Sequence, residues 1–313
     1  MISNMAFIAP LEHNRHAVLS QQKVMHSDNK LENQYNNGFE YGVKHILSPR
    51  SGLLNDILIS SLELSASDVA DLLQLGSIYL EGQRLRENCE ISEGTYVRVH
   101  TKPRRFPKNN FSWEERIVFS DENFLVVNKP AGLPVHPSVD NCLENLQMYL
   151  SSHLQSELFV THRLDVPTSG LLVLAKNRDF LPLFNHLLAT RGVKKFYRAR
   201  VHGLKLQEGL VTHYMEPSPR APKNVSSEPQ PKWQECQLRI LRVENFKEVQ
   251  EQEVRVELLT GRTHQIRAQL AALGASICGD VMYGAPKKYD LEKIDLEAEV
   301  LEFLDFKFTT KRS

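Results

Sequence analysis

The chain has 313 residues, 41% hydrophobic and 24% charged, enough for one large and one small globular unit, each with its own core. Lys plus Arg and Asp plus Glu both total 38, so no net positive charge advertises a polyanionic partner, although a locally basic groove is compatible with neutrality. Four scattered cysteines without a C-x-x-C pair speak against a zinc site or redox dithiol and fit reduced thiols in the cytoplasm, and no run of about 18 apolar residues is present to span a membrane.

Residues 1–44 are polar and read as an N-terminal extension, without the basic-then-apolar order of a secretory signal. Residues 45–101 read as a small α/β module. Its helix, "SASDVADLLQLG", carries Val69, Leu72 and Leu73 on one face, with Ser65 or Ser67 as a cap and Gly76 as a left-handed end. "SIYLEG" is a short strand turning at Gly82, and "GTYVRVH" alternates, Val97 and Val99 opposite Tyr96, Arg98 and His100. Residues 102–111 read as a basic linker, whose Lys102, Arg104, Arg105 and Lys108 can either track phosphates or lie solvated.

Residues 112–313 form the longer domain. "NFLVVNKP" predicts a buried strand ended by Pro130. "CLENLQMYLSSHL" spaces Leu143, Leu146, Leu150 and Leu154 as a helix. "GLLVLAK" is an apolar strand. "DFLPLFNHLLATRG" predicts a helix from an Asp179 cap to Gly192, with Phe180, Phe184, Leu187 and Leu188 inward. "KFYRARVHG" places Tyr197, Ala199 and Val201 on one strand face, "PSPRAPKNVSSEPQP" is a loop, and "EVRVELLTG" is a strand leading into the helix "THQIRAQLAALG". Strands outnumber helices without regular alternation. That predicts an α+β fold with a mixed, largely antiparallel sheet and flanking helices.

Four stretches carry candidate chemistry. In "THRLDVPTSGLLVLAK", Asp165 lies on the loop entering a buried strand, beside His162 and Arg163; Thr168 can bond to it or to backbone, and Gly170 permits close backbone approach. A carboxylate next to Arg is expected to be ionised at neutral pH and is then a competent nucleophile, or simply one half of a loop-pinning ion pair. In "TGRTHQIRAQL", Arg262 sits in a strand-to-helix turn and can pair with a distant carboxylate such as Asp165, while His264, Gln265 and Arg267 project from the first helical turns; a capping cluster is the plainer reading. Tyr197 points inward, either as a core ring or facing a cavity where it can stack on a base. Lys129 can orient a site loop, bind phosphate or lie solvated in a turn. No second acid lies in these stretches, which disfavours glycosidase chemistry. No H-E-x-x-H, H-x-H, P-loop or G-x-G-x-x-G occurs, so neither a metal site nor a nucleotide cofactor has support.

Taken in order, "NKPAGLPVHP", "HRLDVPTSGLLVLAK", "KKFYRARVHG" and "GRTHQIRAQLAALGASICGDVMYG" resemble the RluA-type family of RNA pseudouridine synthases, and residues 45–101 loosely resemble the S4 RNA-binding module, though with a helix short of Lys and Arg. The resemblance implies that Asp165 is the essential aspartate, Tyr197 the base-stacking tyrosine and Arg262 the partner of the aspartate. It further implies that Arg163, with the substrate-side His162 of the same motif, helps hold RNA with its base extruded, that Ile266 lines the pocket, and that no cofactor or metal is used. The implied partner is structured RNA, ribosomal large-subunit RNA before transfer RNA, with the protein a monomer. The rival readings are an RNA-binding or ribosome-assembly protein that kept the fold without the activity, and a carboxylate-dependent nucleoside hydrolase. The loop "EPSPRAPKNVSSEPQPKWQ" and the tail "DLEKIDLEAEVLEFLDF" match no pattern.

Overall fold

Two apolar runs explain the centre of the molecule. In β8 (Phe124–Lys129) and β10 (Ser169–Ala175), alternate residues go to opposite cores. Leu125, Val127, Leu172 and Leu174 join one core, and Phe124, Val126, Leu171 and Val173 the other. Each such side chain contributes about 1.5–3 kcal/mol when fully buried, and a strand covered on both faces has no use for polar alternation. The first core is closed by α4 (Leu146–Leu154) and α6 (Gln265–Ala272), the second by the phenylalanines of α5 (Phe180–Ala189).

A computed structural model describes residues 42–106, 111–246, 250–286 and 293–311. In its large sheet β8 and β10 are joined by β7 (Ile117–Ser120), β11 (Lys194–Gly203), β12 (Gly209–Met215), β13 (Val225–Ser226), β14 (Gln234–Asn245), β15 (Glu251–Leu258) and β17 (Leu296–Phe303). The strand order is β13-β12-β14-β15-β11-β17-β10-β8-β7. Pairings along this path are antiparallel except β10 with β17, where Ser169 and Gly170 lie parallel to Glu297 and Ala298. Gly170 is at φ +112°, and a Cβ there would come within 2.4 Å of the Ala298 carbonyl oxygen, so the two strands meet only because this residue has none. The sheet is thus mixed and largely antiparallel with flanking helices, an α+β fold.

The small module has its own core and sheet. Its sheet runs β1 (Val43–Leu47), β6 (Tyr96–His100), β3 (Ile78–Leu80), β4 (Gln83–Leu85), packed under α1 (Leu54–Leu62) and α2 (Ala66–Leu75). Ser65 makes the full capping box with Asp68, and Gly76 ends α2 at φ +66°. The expected extension falls mostly on residues outside those described, and β1 begins at Val43, inside it.

Several local expectations shift. The helix expected from residue 142 starts at Leu146, because Asn145 caps Met148 and residues 138–142 are drawn against the small module. Asp179 makes no cap bond to α5; Asn177 Oδ1 accepts from Phe180 N instead, and Arg191, at φ +59°, is the left-handed residue after the helix, just before Gly192. His100 is buried against the ring of Tyr79. The patternless tail supplies β17, a central strand whose alternation is broken by a bulge against Phe196 and Tyr197.

The two units are clasped together. Ser77 Oγ donates to Asp140 O at 2.5 Å, Tyr79 OH to Val139 O at 2.9 Å and Arg84 Nη2 to Ser138 O at 2.6 Å. Cys142 N donates to Leu75 O at 2.8 Å. Arg104 and Arg105 are pinned to Asp140 and Glu144, each at 2.7 Å. Arg104 closes the joint, whereas Arg105 stays largely exposed while paired to Glu144; Lys108 is outside the described residues.

Candidate active site

One cavity of about 880 Å³ opens between the loop before β10, the turn before α6, and the strand face bearing Tyr197. Asp165 stands on its wall with 21% of its side chain exposed. Its loop is shaped by the Thr168 N to Asp165 O turn bond and held from below by Lys129. Asp165 Oδ2 accepts from Arg267 Nη1 at 3.2 Å, and His264 Nε2 lies 3.9 Å from the same oxygen. Oδ1 has no hydrogen-bond partner among the described residues.

Arg267 is almost fully enclosed and also donates to both oxygens of Asp280, at 2.6 and 2.9 Å. Burial opposes its charge, the Asp280 and Asp165 carboxylates outweigh burial, and its pKa is raised. This corrects the expectation for Arg262. Gln265 Oε1 accepts from Thr260 Oγ1 and from Arg262 N, fixing the turn so that Arg262 sits exposed on the cavity rim, with no ion pair to Asp165 within 4 Å. Position 267, on the first turn of α6, is the one facing inward.

Tyr197 lines the cavity with 5% of its surface exposed, and its hydroxyl has no hydrogen-bond partner among the described residues. Burial, and then the charge of Asp165, push its pKa upward, so it is a neutral phenol. Ile266 lines the same wall and is 5% exposed. Arg163 is exposed at the mouth, where its Nη1 meets His136 Nε2 at 3.1 Å.

Three expected contact residues are committed elsewhere, and a fourth, Thr168, is buried. Lys129 is fully buried; its ammonium donates to Pro130 O and Leu133 O at 2.8 Å and to Val166 O at 3.2 Å, so it binds no phosphate and instead ties two loops under the site. Burial lowers it to about 7, against the opposing charge of Asp165. His162 Nε2 accepts from Val173 N at 3.1 Å and its ring stacks on Phe184; burial, with help from Lys195, depresses it to about 3, so it is a neutral structural group. Gln265 spends its amide on Gln237 O and Gln269 Oε1. Thr168 is 2% exposed, and its hydroxyl has no partner among the described residues.

Other lining residues escaped the sequence reading. Lys195 is two residues before Tyr197 on β11, so strand periodicity carried the signal; burial lowers its pKa, and Gly261 lies against its ammonium. His136 comes from the loop beside the clasp, and Arg104, read from the sequence as a linker residue, lines the cavity from the clasp itself. Among the described residues Asp165 is the cavity's one carboxylate, facing Arg104, Arg163, Lys195, Arg262 and Arg267. No group of three or more His, Cys, Asp or Glu that could hold a metal occurs among them.

The family model for RNA pseudouridylate synthase matches residues 123–272, the span holding Asp165, Tyr197 and Arg267. The chain is 30% identical over 307 residues to RNA pseudouridine synthase 6, chloroplastic, of Oryza sativa subsp. japonica, covering 77% of this chain and 64% of that protein's length. It is 30% identical over 268 residues to ribosomal large subunit pseudouridine synthase D of Xanthomonas campestris pv. campestris, covering 77% and 78%. The solved structure of human RNA pseudouridylate synthase domain containing 4 superimposes with a TM-score of 0.52 at 24% identity, over 64% of this chain and 89% of that one, a likeness of fold. With its fold and these relatives together, the chain belongs to the RluA-type family of RNA pseudouridine synthases.

Proposed function

We propose that this protein isomerises a uridine in structured RNA to pseudouridine, with Asp165 acting at the nucleotide. The observation that carries the reading is the make-up of the cavity: one carboxylate with a free oxygen, a neutral tyrosine beside it, and five cationic side chains around them. Isomerisation breaks the bond from N1 to C1′, turns the base and rejoins it through C5. One carboxylate suffices, because the uracil leaves as a stabilised anion that stays in the pocket, and no second acid need protonate it. Arg267 supplies the fixed charge opposite that carboxylate.

A stacked uridine cannot reach Asp165, so the nucleotide is flipped out at a cost of a few kcal/mol. Arg163, Lys195 and Arg262 around the cavity offset this through phosphate contacts. The ring of Tyr197 then offers a stacking surface, an interaction of about 1–3 kcal/mol. The substrate class we favour is ribosomal large-subunit RNA, as the Xanthomonas relative's name says of that protein. The four free thiols fit a reducing compartment such as the cytoplasm.

The test is release of tritium from RNA labelled at uracil C5. A synthase releases it in step with pseudouridine formation. RNA binding without release would mark an inactive binding protein, and free uracil would mark a hydrolase; either result overturns the proposal.

A further inference from the structure

His264 is held in a way the capping of α6 does not require. It is a non-glycine residue at φ +59°, and its side chain makes no cap bond. Left-handed backbone at such a residue is sparsely populated and concentrates at functional positions.

Its tautomer follows from its neighbours. Lys223 N donates to the Tyr283 hydroxyl oxygen at 2.8 Å, and the same oxygen lies 3.0 Å from His264 Nδ1. A hydroxyl that accepts from Lys223 has its single proton left to donate, and burial raises Tyr283 to about 12, so that proton stays on it. With that proton given to Nδ1, the neutral ring carries its hydrogen on Nε2. Burial lowers the pKa of His264, against the charge of Asp165, which favours the neutral ring.

Nε2–H faces the cavity 3.9 Å from Asp165 Oδ2, beyond hydrogen-bond range, and meets no other partner among the described residues. A donor beside the reacting carboxylate, its tautomer fixed from behind, is arranged for a ligand oxygen. We infer that His264 Nε2–H donates to O2 of the flipped uracil and stabilises the base as it departs. This rests on the isomerase reading above. Whichever atom Asp165 engages, the C1′–N1 bond breaks with its electron pair retained by the base, and the charge spreads over N1, O2 and O4. The hydrogen bond stabilises that anion without transferring a proton. After rotation C5 bonds to C1′, the C5 proton leaves to solvent, and N1 takes up a proton, so the balance is that of an isomerisation.

The experiment uses the full chain and synthetic RNA bearing uridine, 2-thiouridine or 2′-deoxyuridine at the modified position. His264→Leu is expected to lower the single-turnover rate on uridine by about 10²-fold, the usual cost of removing one donor at a developing negative charge, with RNA affinity within about twofold of wild type. His264→Gln, which restores a donor near the place of Nε2, should recover most of the rate. Tyr283→Phe, which frees the tautomer, should lose about tenfold, a smaller part of the same effect. With 2-thiouridine, whose sulfur accepts poorly, the His264→Leu penalty should shrink to about threefold or less, while with 2′-deoxyuridine it should persist. An unchanged rate, a penalty equal on all three RNAs, or one that vanishes only on the deoxy substrate overturns the inference. Imidazole 15N spectra give a readout independent of turnover. Wild type should show His264 protonated at Nε2, and uridine 5′-monophosphate should shift that nitrogen while its 2-thio analogue does not. Should wild type isomerise no uridine yet show this response, the reaction assigned above fails and the contact stands; no shift with either nucleotide removes the contact.

Discussion

Two aspartate–arginine pairs flank this cavity and are built differently. Asp140 is fully buried in the joint between the units, and both its oxygens are taken by Arg104: Nη2 reaches Oδ1 at 2.7 Å, and Nε and the backbone N reach Oδ2 at 2.9 Å. Burial pushes that carboxyl up, and Arg104 outweighs it and holds it at about 2. Asp165 has one contact to Arg267, at 3.2 Å, and keeps an oxygen facing open space. The guanidinium is the closed partner there, anchored two-fold on Asp280. A pair that saturates its carboxylate is a latch; a pair that saturates its arginine leaves its carboxylate with an open oxygen.

The largest expected difference between the pairs is in turnover. Asp165→Asn should lower isomerisation by about 10⁴-fold or more, as loss of a reacting group does, with the melting temperature close to wild type. Asp140→Ala should do the reverse. It breaks a buried pair, for which the cost is about 3–5 kcal/mol, toward the low end because Arg104 is 28% exposed and can reach water. Turnover below its melting transition should then be largely kept. A D140A chain that melts like wild type, or a D165N chain that turns over, would erase the distinction.

Acid titration sharpens the same contrast. Asp140 has a folded pKa of about 2, below its unfolded value of about 3.9. Its contribution is therefore fully present above the unfolded value and is lost as pH falls from about 4 toward about 2. Thermal melts of wild type and Asp140→Ala should converge over that window.

The smallest effect belongs to the rim. Arg163→Ala should weaken RNA binding uniformly across sequences and reduce the salt slope of log K by about 1, as loss of one phosphate contact does. An unchanged slope would remove Arg163 from the RNA path.

What was legible follows the same division. Tyr197 and Ile266 stood in stretches whose strand or helix period fixed their direction, Asp165 stood on the loop entering an apolar strand, and the cavity receives all three. Which arginine meets Asp165 depended on where α6 begins, and Gln265, folding back on the turn, sets that start in a way no periodicity shows. Lys129 read as a turn residue because nothing local reveals that Val166, 37 residues on, supplies a carbonyl above it. The tail 296–303 read as patternless because its partners are strands about 100 and 130 residues earlier and its register slips at a bulge. Arg104 and Arg105 looked free for phosphate because their acids lie 36 and 39 residues away.

The most direct measurement is a transcriptome-wide pseudouridine map of cells lacking this protein, complemented in turn by wild type, Asp140→Ala and Asp165→Asn. One or a few defined uridines, in ribosomal large-subunit RNA on the reading favoured here, should lose the mark in the deletion, regain it with wild type and with Asp140→Ala at a permissive temperature, and stay unmodified with Asp165→Asn. A map unchanged by the deletion, or one restored by Asp165→Asn, would contradict the role given to that carboxylate.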